Sequence, residues 1–238
     1  MKASKRLLLV LMLGMAAGCG SSADTAADYV ESGNEFFDNV NYDKARLEYK
    51  NAIQIDPRQA EPYYRLALLD EQNKNWKQMF ANLTTVEQLD PNHVDAQIKL
   101  GRLYLLGGKL DEATTRADKA LSIKPESFDG RILKASILAK EQKFDEASTL
   151  LAEVSKDYPE HKDILSLEIL ILKDKGDLPA ALAKTKQAVE KYPEDMSLRL
   201  IELSLYNDMK DFKGMANVYE DILDRKPDER EVVMSYAK

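Results

Sequence analysis

Residues 94–127 read VDAQIKLGRLYLLGGKLDEATTRADKALSIKPES, and the reading of this stretch decides the fold. Ala96 to Leu106 and Asp111 to Ile123 are two helical runs, with Gly107-Gly108 breaking the chain between them. Asp111 and Glu112 open the second run, where carboxylates favour the positive end of the helix dipole. Pro125 follows that run and stops it. Two short helices cannot bury their apolar faces on each other alone, so this unit needs neighbours of its own kind.

The neighbours are present. Six of the eight prolines, Pro57, Pro91, Pro125, Pro159, Pro193 and Pro227, stand 34 residues apart. Tyr42, Trp76, Leu110, Phe144, Leu178 and Phe212 keep the same interval, as do Ala45, Met79, Ala113, Ala147, Ala181 and Met215. Ala52, Val86, Ala120, Val154, Ala188 and Ile222 form a further column. Gly33, Ala67, Gly101 and Ala135 form a small-residue column that lapses at Ile169 and Leu203. A fixed period of this length marks an array of stacked helical units.

These columns resemble the tetratricopeptide repeat (TPR), a family of 34-residue period with small residues at positions 8, 20 and 27 and proline at 32. Taking Ala26 as position 1 brings every column into register over repeats 26–59, 60–93, 94–127, 128–161, 162–195 and 196–229. The resemblance implies an all-α, right-handed superhelix of antiparallel helix pairs, with six repeats plus a partial seventh. Val233, Tyr236 and Ala237 fall at positions 4, 7 and 8 of that seventh, so 230–238 reads as its start or as a short cap. An array that ends inside a first helix is expected to be a piece of a longer one, or to offer its end to a partner or a second copy. Small side chains at 8 and 20 let the two helices approach, and the position-17 side chain plugs the gap between pairs. Repeats five and six lack the small residue at 8, and repeats two and six carry Met at 20, so looser or shifted packing is expected there.

In the family the first helix of each repeat lines a concave groove through positions 2, 5, 9 and 12. Carried onto this chain, the protein-binding groove comprises Val30, Asn34, Phe37, Tyr64, Leu68, Ile98, Arg102, Leu105, Ile132, Ser136, Leu170 and Leu200. The face is apolar with scattered polar groups, suited to an amphipathic helix or an extended peptide. The alternative is that position 5 packs inward and the array is a structural spacer. One TPR subclass clamps a C-terminal carboxylate. Asn34 matches that clamp and Lys99 lies near a second required place, but Val30 and Asp95 stand where bases are needed, so the clamp is incomplete. Glu61, Asp95, Asp129 and Asp163 form an acidic column at position 2. They are either a strip for a basic partner or compensation of helix dipoles, and the position favours the second.

The N-terminus carries an address. Lys2, Lys5 and Arg6 precede Leu7–Ala17, an apolar run of 11 residues. A membrane-spanning helix needs roughly 20 residues, so the run has the length of a signal-peptide core. Ala17-Gly18-Cys19 resembles a bacterial lipoprotein signal, although Ala16 stands where that family prefers a larger aliphatic. The resemblance implies removal of residues 1–18, lipidation of Cys19 and a tether over 19–25. An ordinary secretory signal with an incidental cysteine is the alternative. Gly20, not Asp, follows the cysteine, which in that family favours the outer membrane, facing the periplasm. Losing Lys2, Lys5 and Arg6 with the leader takes the net charge from −7 to −10.

Composition excludes other chemistries. One cysteine allows no internal disulfide and no thiolate cage. His93 and His161 both fall at position 34 of their repeats, two repeats apart, and read as solvated loop residues rather than a metal site. The acidic balance disfavours nucleic acid as a partner. No phosphate-binding loop, dinucleotide fingerprint, nucleophile elbow or zinc-protease motif occurs. The expectation is a non-enzymatic scaffold without metal or cofactor, anchored in the bacterial envelope and binding protein. The phrases Tyr42–Ala52 and Leu100–Leu105 resemble the TPR lipoproteins of exopolysaccharide export and PEP-CTERM/exosortase sorting. Pilotin lipoproteins of type IV pili match in size and repeat number, and the outer-membrane assembly lipoprotein is a third possibility. An accessory subunit positioning an envelope glycan synthase is the reading from another class.

Overall fold

The computed structural model describes residues 22–225. The leader 1–18, Cys19 and the segment 230–238 lie outside the described residues. Twelve α-helices and no strand occupy the described chain. They are α1 (Ser22–Asp38), α2 (Tyr42–Ile55), α3 (Ala60–Gln72), α4 (Trp76–Leu89), α5 (Val94–Leu106), α6 (Leu110–Ile123), α7 (Phe128–Lys140), α8 (Phe144–Asp157), α9 (Lys162–Asp174), α10 (Leu178–Lys191), α11 (Met196–Asp208) and α12 (Phe212–Arg225). From α4 onward each helix opens 34 residues after the helix two before it. The exception is α1, which opens at Ser22 rather than Ala26 and so takes in residues 22–25 of the expected tether.

Odd-numbered helices are the first of each pair and even-numbered the second. One turn joins every pair. Val40, Lys74, Gly108, Gln142, Gly176 and Lys210, again 34 apart, all take positive φ, between 55° and 82°. The amide of the next residue bonds back to the carbonyl five residues earlier, as Asn41 does to Phe36 and Lys109 to Tyr104, at 2.8–2.9 Å in all six. This Schellman closure satisfies carbonyls that the helix end would otherwise leave bare. Glycine fills the left-handed position in only two repeats. Val40 is β-branched and 68% exposed, so it bears the steric cost of φ 58° with little packing in return. Val40→Gly should therefore raise stability by about 1 kcal/mol in denaturant unfolding. A lower midpoint would show that the valine makes contacts worth more than its backbone strain.

The 34-spaced prolines act one residue later than a helix stop. Asp56, Lys124, Tyr158 and Tyr192 cap α2, α6, α8 and α10 with φ between −123° and −137°. Each precedes a proline, whose ring forces the preceding residue out of the helical region.

The chain divides into two compact units, one ending at Leu89 and one beginning at Asp90. Within each, consecutive helices pack on one another, and in the second unit α5 also touches α7, and α7 touches α9. Ala45, Ala52, Ala67, Ala113, Ala120, Ala135, Ala147, Ala181 and Ala188 are fully buried, so the small-residue columns are the close-approach surfaces. Gly33 shows why: a Cβ there would lie 2.5 Å from Cε1 of Tyr49, a fully buried ring.

Packing departs from expectation in two ways. The fifth and sixth pairs touch along less of their length than the first three, with Ile169 and Leu203 buried between the helices. The fourth pair is also shorter in contact although Ala135 is in place, and position 8 does not explain it. The second pair is not loosened: Met79 is buried, its flexible thioether filling the space an alanine would leave. At position 17, Tyr42, Phe144 and Leu178 pack on core clusters. Trp76 and Phe212, at 50% and 69% exposure, do not plug a gap.

Candidate functional site

The expected groove residues separate into three environments. Ile98 and Ile132 are 3% and 8% exposed. Ile98 packs with Ala113, Ala117 and Leu133, and Ile132 with Ala135, Ala147 and Ile164. They belong to the core and offer a ligand no surface, which corrects the groove reading at these two positions. Position 5 lies at the edge of the apolar stripe, and in these repeats the alanines opposite leave room for the isoleucine to turn inward.

A second group is held by bonds or packing within its own repeat or to the next one. Asn34 accepts a 2.9 Å hydrogen bond from the Tyr49 hydroxyl, whose burial pushes its pKa up to about 12. Phe37 packs on the first-unit core, its ring 5.5 Å from Tyr42. Leu105 lies against the α5–α7 core. Ser136 donates to the carbonyl of Ile132 at 2.8 Å. Val30, Tyr64 and Leu68 are half-buried. Arg102 is exposed and reaches Asp129 at 2.5 Å, tying α5 to α7. Asp129 of the acidic column thus neutralises a base on the preceding repeat. Glu61 pairs with Arg65 one turn on, at 2.6 Å.

Leu170 and Leu200 come together. With Ile169, Lys173, Ile201 and Ser204 they line a pocket of about 230 Å³ between α9 and α11. Leu170 is 47% exposed beside it. At the rim Lys173 donates to the Ser204 hydroxyl at 2.7 Å and pairs with Asp208 at 3.0 Å, bridging the two first helices. The recess is apolar inside, with a cation and a hydroxyl fixed at its edge, so it can accept one apolar side chain and hydrogen-bond a neighbouring polar group. Lys173 and Ser204 stand in columns 12 and 9 of the sequence register. The lapse of the small-residue column at Ile169 marked where the recess would open.

Residues 33–73 match the family described as TPR repeat, and residues 107–168 match that described as tetratricopeptide repeat. Over these two stretches the repeats are tetratricopeptide repeats. No curated protein matches the chain. Among solved structures the chain is similar to PilW, a widely conserved type IV pilus biogenesis factor, with a TM-score of 0.73 and 15% identity over 88% of this chain and 98% of that one. A tetratricopeptide repeat protein from Parabacteroides merdae gives a TM-score of 0.71 and 15% identity over 89% and 82%. Pseudomonas aeruginosa pilF gives 0.64 and 16% over 90% and 98%. At these identities the likeness shows the fold.

TPR arrays generally bind proteins or peptides, and the first helices carry candidate surface for that. The two histidines have a different role from the solvated one expected. His93 Nδ1 accepts from the amide of Ala96 at 3.3 Å and His161 Nδ1 from that of Asp163 at 3.2 Å, so each caps a first helix. Ser127 and Asp195 cap from the same TPR position. Hydrogen bonds from the Ser197 hydroxyl and Lys162 hold the Asp195 carboxyl down, at about 2. Among the described residues, no cluster of His, Cys, Asp or Glu could hold a metal ion, and no helix is long and apolar enough to cross a membrane.

Proposed function

We propose that this chain is a lipid-anchored, non-enzymatic scaffold of the bacterial envelope that holds a protein or peptide partner on its first-helix face. The observation that carries the reading is the α9–α11 recess, apolar within, polar at its rim and flanked by the half-exposed Leu170. A leucine left open beside an apolar hollow is the surface a partner's side chain covers. The anchor rests on Ala17-Gly18-Cys19 and on that cysteine being the only one, and Gly20 supports the outer membrane. Exopolysaccharide export or protein sorting is the pathway that the Tyr42–Ala52 phrase supports. Type IV pilus assembly is a second reading, favoured by likeness along 98% of both PilW and pilF.

Capture of the lipidated protein from its own envelope, followed by mass spectrometry, should recover a partner. Leu170→Glu and Leu200→Glu should each reduce that recovery about tenfold or more with helical content unchanged. Recovery equal to the parent's would move the interface off this face. A charge at Ile98 would be uninformative, because that side chain is core and its loss would act through folding.

A further inference from the structure

The first unit carries a row of carboxamides that its turns do not require. Asn39 and Asn41 flank Val40, and 34 residues later Asn73 and Asn75 flank Lys74. The same turn, closed by the same hydrogen bond, forms in the other four repeats around Gly107 and Lys109, Glu141 and Lys143, Lys175 and Asp177, and Met209 and Asp211. Each asparagine also uses only one end of its amide on the backbone. Asn39 and Asn73 donate through Nδ2 to the carbonyls of Glu35 and Leu69, which leaves Oδ1 open. Asn41 and Asn75 accept through Oδ1 from the amides of Lys44 and Gln78, which leaves Nδ2 open.

Two clefts open along this row, of about 480 Å³ and about 370 Å³, and both are lined by Arg46 and Asn73. Asn41, Tyr42 and Asp43 line the first, and Lys50, Asn75 and Gln78 the second. Asp70 already neutralises Arg46 at 2.8 Å, and the charged residues lining the two clefts are two bases, Arg46 and Lys50, and two acids, Asp43 and Asp70. An aromatic follows each Asn–X–Asn group, Tyr42 in the first repeat and Trp76 in the second. Trp76 is half exposed at a register position where Tyr42, Phe144 and Leu178 pack on the core.

We propose that this edge of the first unit binds a neutral oligosaccharide. Planar amides and a guanidinium fork present paired donors and acceptors that match adjacent sugar hydroxyls. An aromatic face takes the C–H side of a pyranose ring, and the indole N–H supplies a donor at its rim. A charge-balanced lining fits a neutral sugar and disfavours a uronate or a phosphate. The two groups stand on successive helix pairs, and Asn73 joins them, lining one cleft with Asn39 and Asn41 and the other with Asn75. The site is separate from the first-helix recess and stands whether or not that recess binds protein.

Trp76 is the only tryptophan of the chain, so its fluorescence reports this edge alone. The full chain titrated with cellohexaose, maltohexaose or chitohexaose should show a saturable emission change with at least one of them, at a Kd of about 0.1–1 mM, matched by calorimetry. Trp76→Ala, Asn73→Ala and Gln78→Ala should each weaken the calorimetric binding about tenfold, the last, which loses no backbone bond, with an unchanged melting temperature. Leu170→Glu should leave it intact. No saturable signal by either method with all three sugars up to about 10 mM overturns the proposal, as does binding that survives all three substitutions.

Discussion

Asp70→Ala is expected to destabilise the chain by about 3 kcal/mol in denaturant unfolding, the largest loss among single polar substitutions in the first unit. Asp70 lies on α3 and is 1% exposed. Its two carboxylate oxygens are each engaged, Oδ1 by Arg46 of α2 at 2.8 Å and Oδ2 by Asn82 of α4 at 2.8 Å. Asn82 is itself buried. Removing the carboxylate leaves an amide and part of a guanidinium without acceptors in a site that water reaches poorly. The guanidinium is a quarter exposed and can turn outward, which holds the loss near the lower end of the range for broken buried pairs. Replacing all three together, as Arg46→Met with Asp70→Leu and Asn82→Leu, should restore most of the stability, because no polar group is then stranded. A cost below about 1 kcal/mol for Asp70→Ala would show that water already satisfies these groups.

Gly33→Ala should cost about 2 kcal/mol, although alanine is the better helix former. The added methyl would lie 2.5 and 2.7 Å from two ring carbons of Tyr49. That ring cannot swing aside, because it is fully buried and its hydroxyl is tied to Asn34. The loss should shrink sharply in a Tyr49→Leu background, where the methyl meets a narrower side chain. Equal losses in both backgrounds would place the effect in the helix itself. Gly101 makes a useful contrast, since its nearest neighbour would be the terminal carbon of Leu133, at 2.6 Å. A flexible chain end yields more easily than a tethered ring.

The repeat was legible because its punctuation is chemical. Prolines after second helices and alanines where helices touch have few substitutes, so they recur visibly at 34 residues. The turn between helices was not legible, since four of its six left-handed positions carry Val, Lys, Gln or Lys rather than glycine. Asp70 and Asn82 carry no periodic signal in the sequence, and only the packing of α3 against α2 and α4 joins Asp70 to Arg46 and to Asn82. Ile98 and Ile132 were assigned to the groove because helical spacing alone cannot say to which side a residue at the edge of the apolar stripe turns. The histidines looked like loop residues because a ring nitrogen is an uncommon cap, although Ser127 and Asp195 in the same column pointed to capping. The α9–α11 recess had a visible forerunner in Ile169, but its rim depended on Lys173 reaching Ser204 and Asp208 across a repeat boundary.

The shared backbone of the six turns has a consequence for how such a chain changes length. Every first helix hands over to its second through the same left-handed residue and the same closing bond, whatever the side chain there. A deletion or duplication of 34 residues that begins and ends inside two such turns therefore rejoins backbone of identical geometry and creates no new junction. What must then be reconciled is side-chain volume between the helices brought together, which point substitution can adjust one residue at a time. Growth by whole modules is thus available to this architecture at the level of the gene, with the backbone already solved.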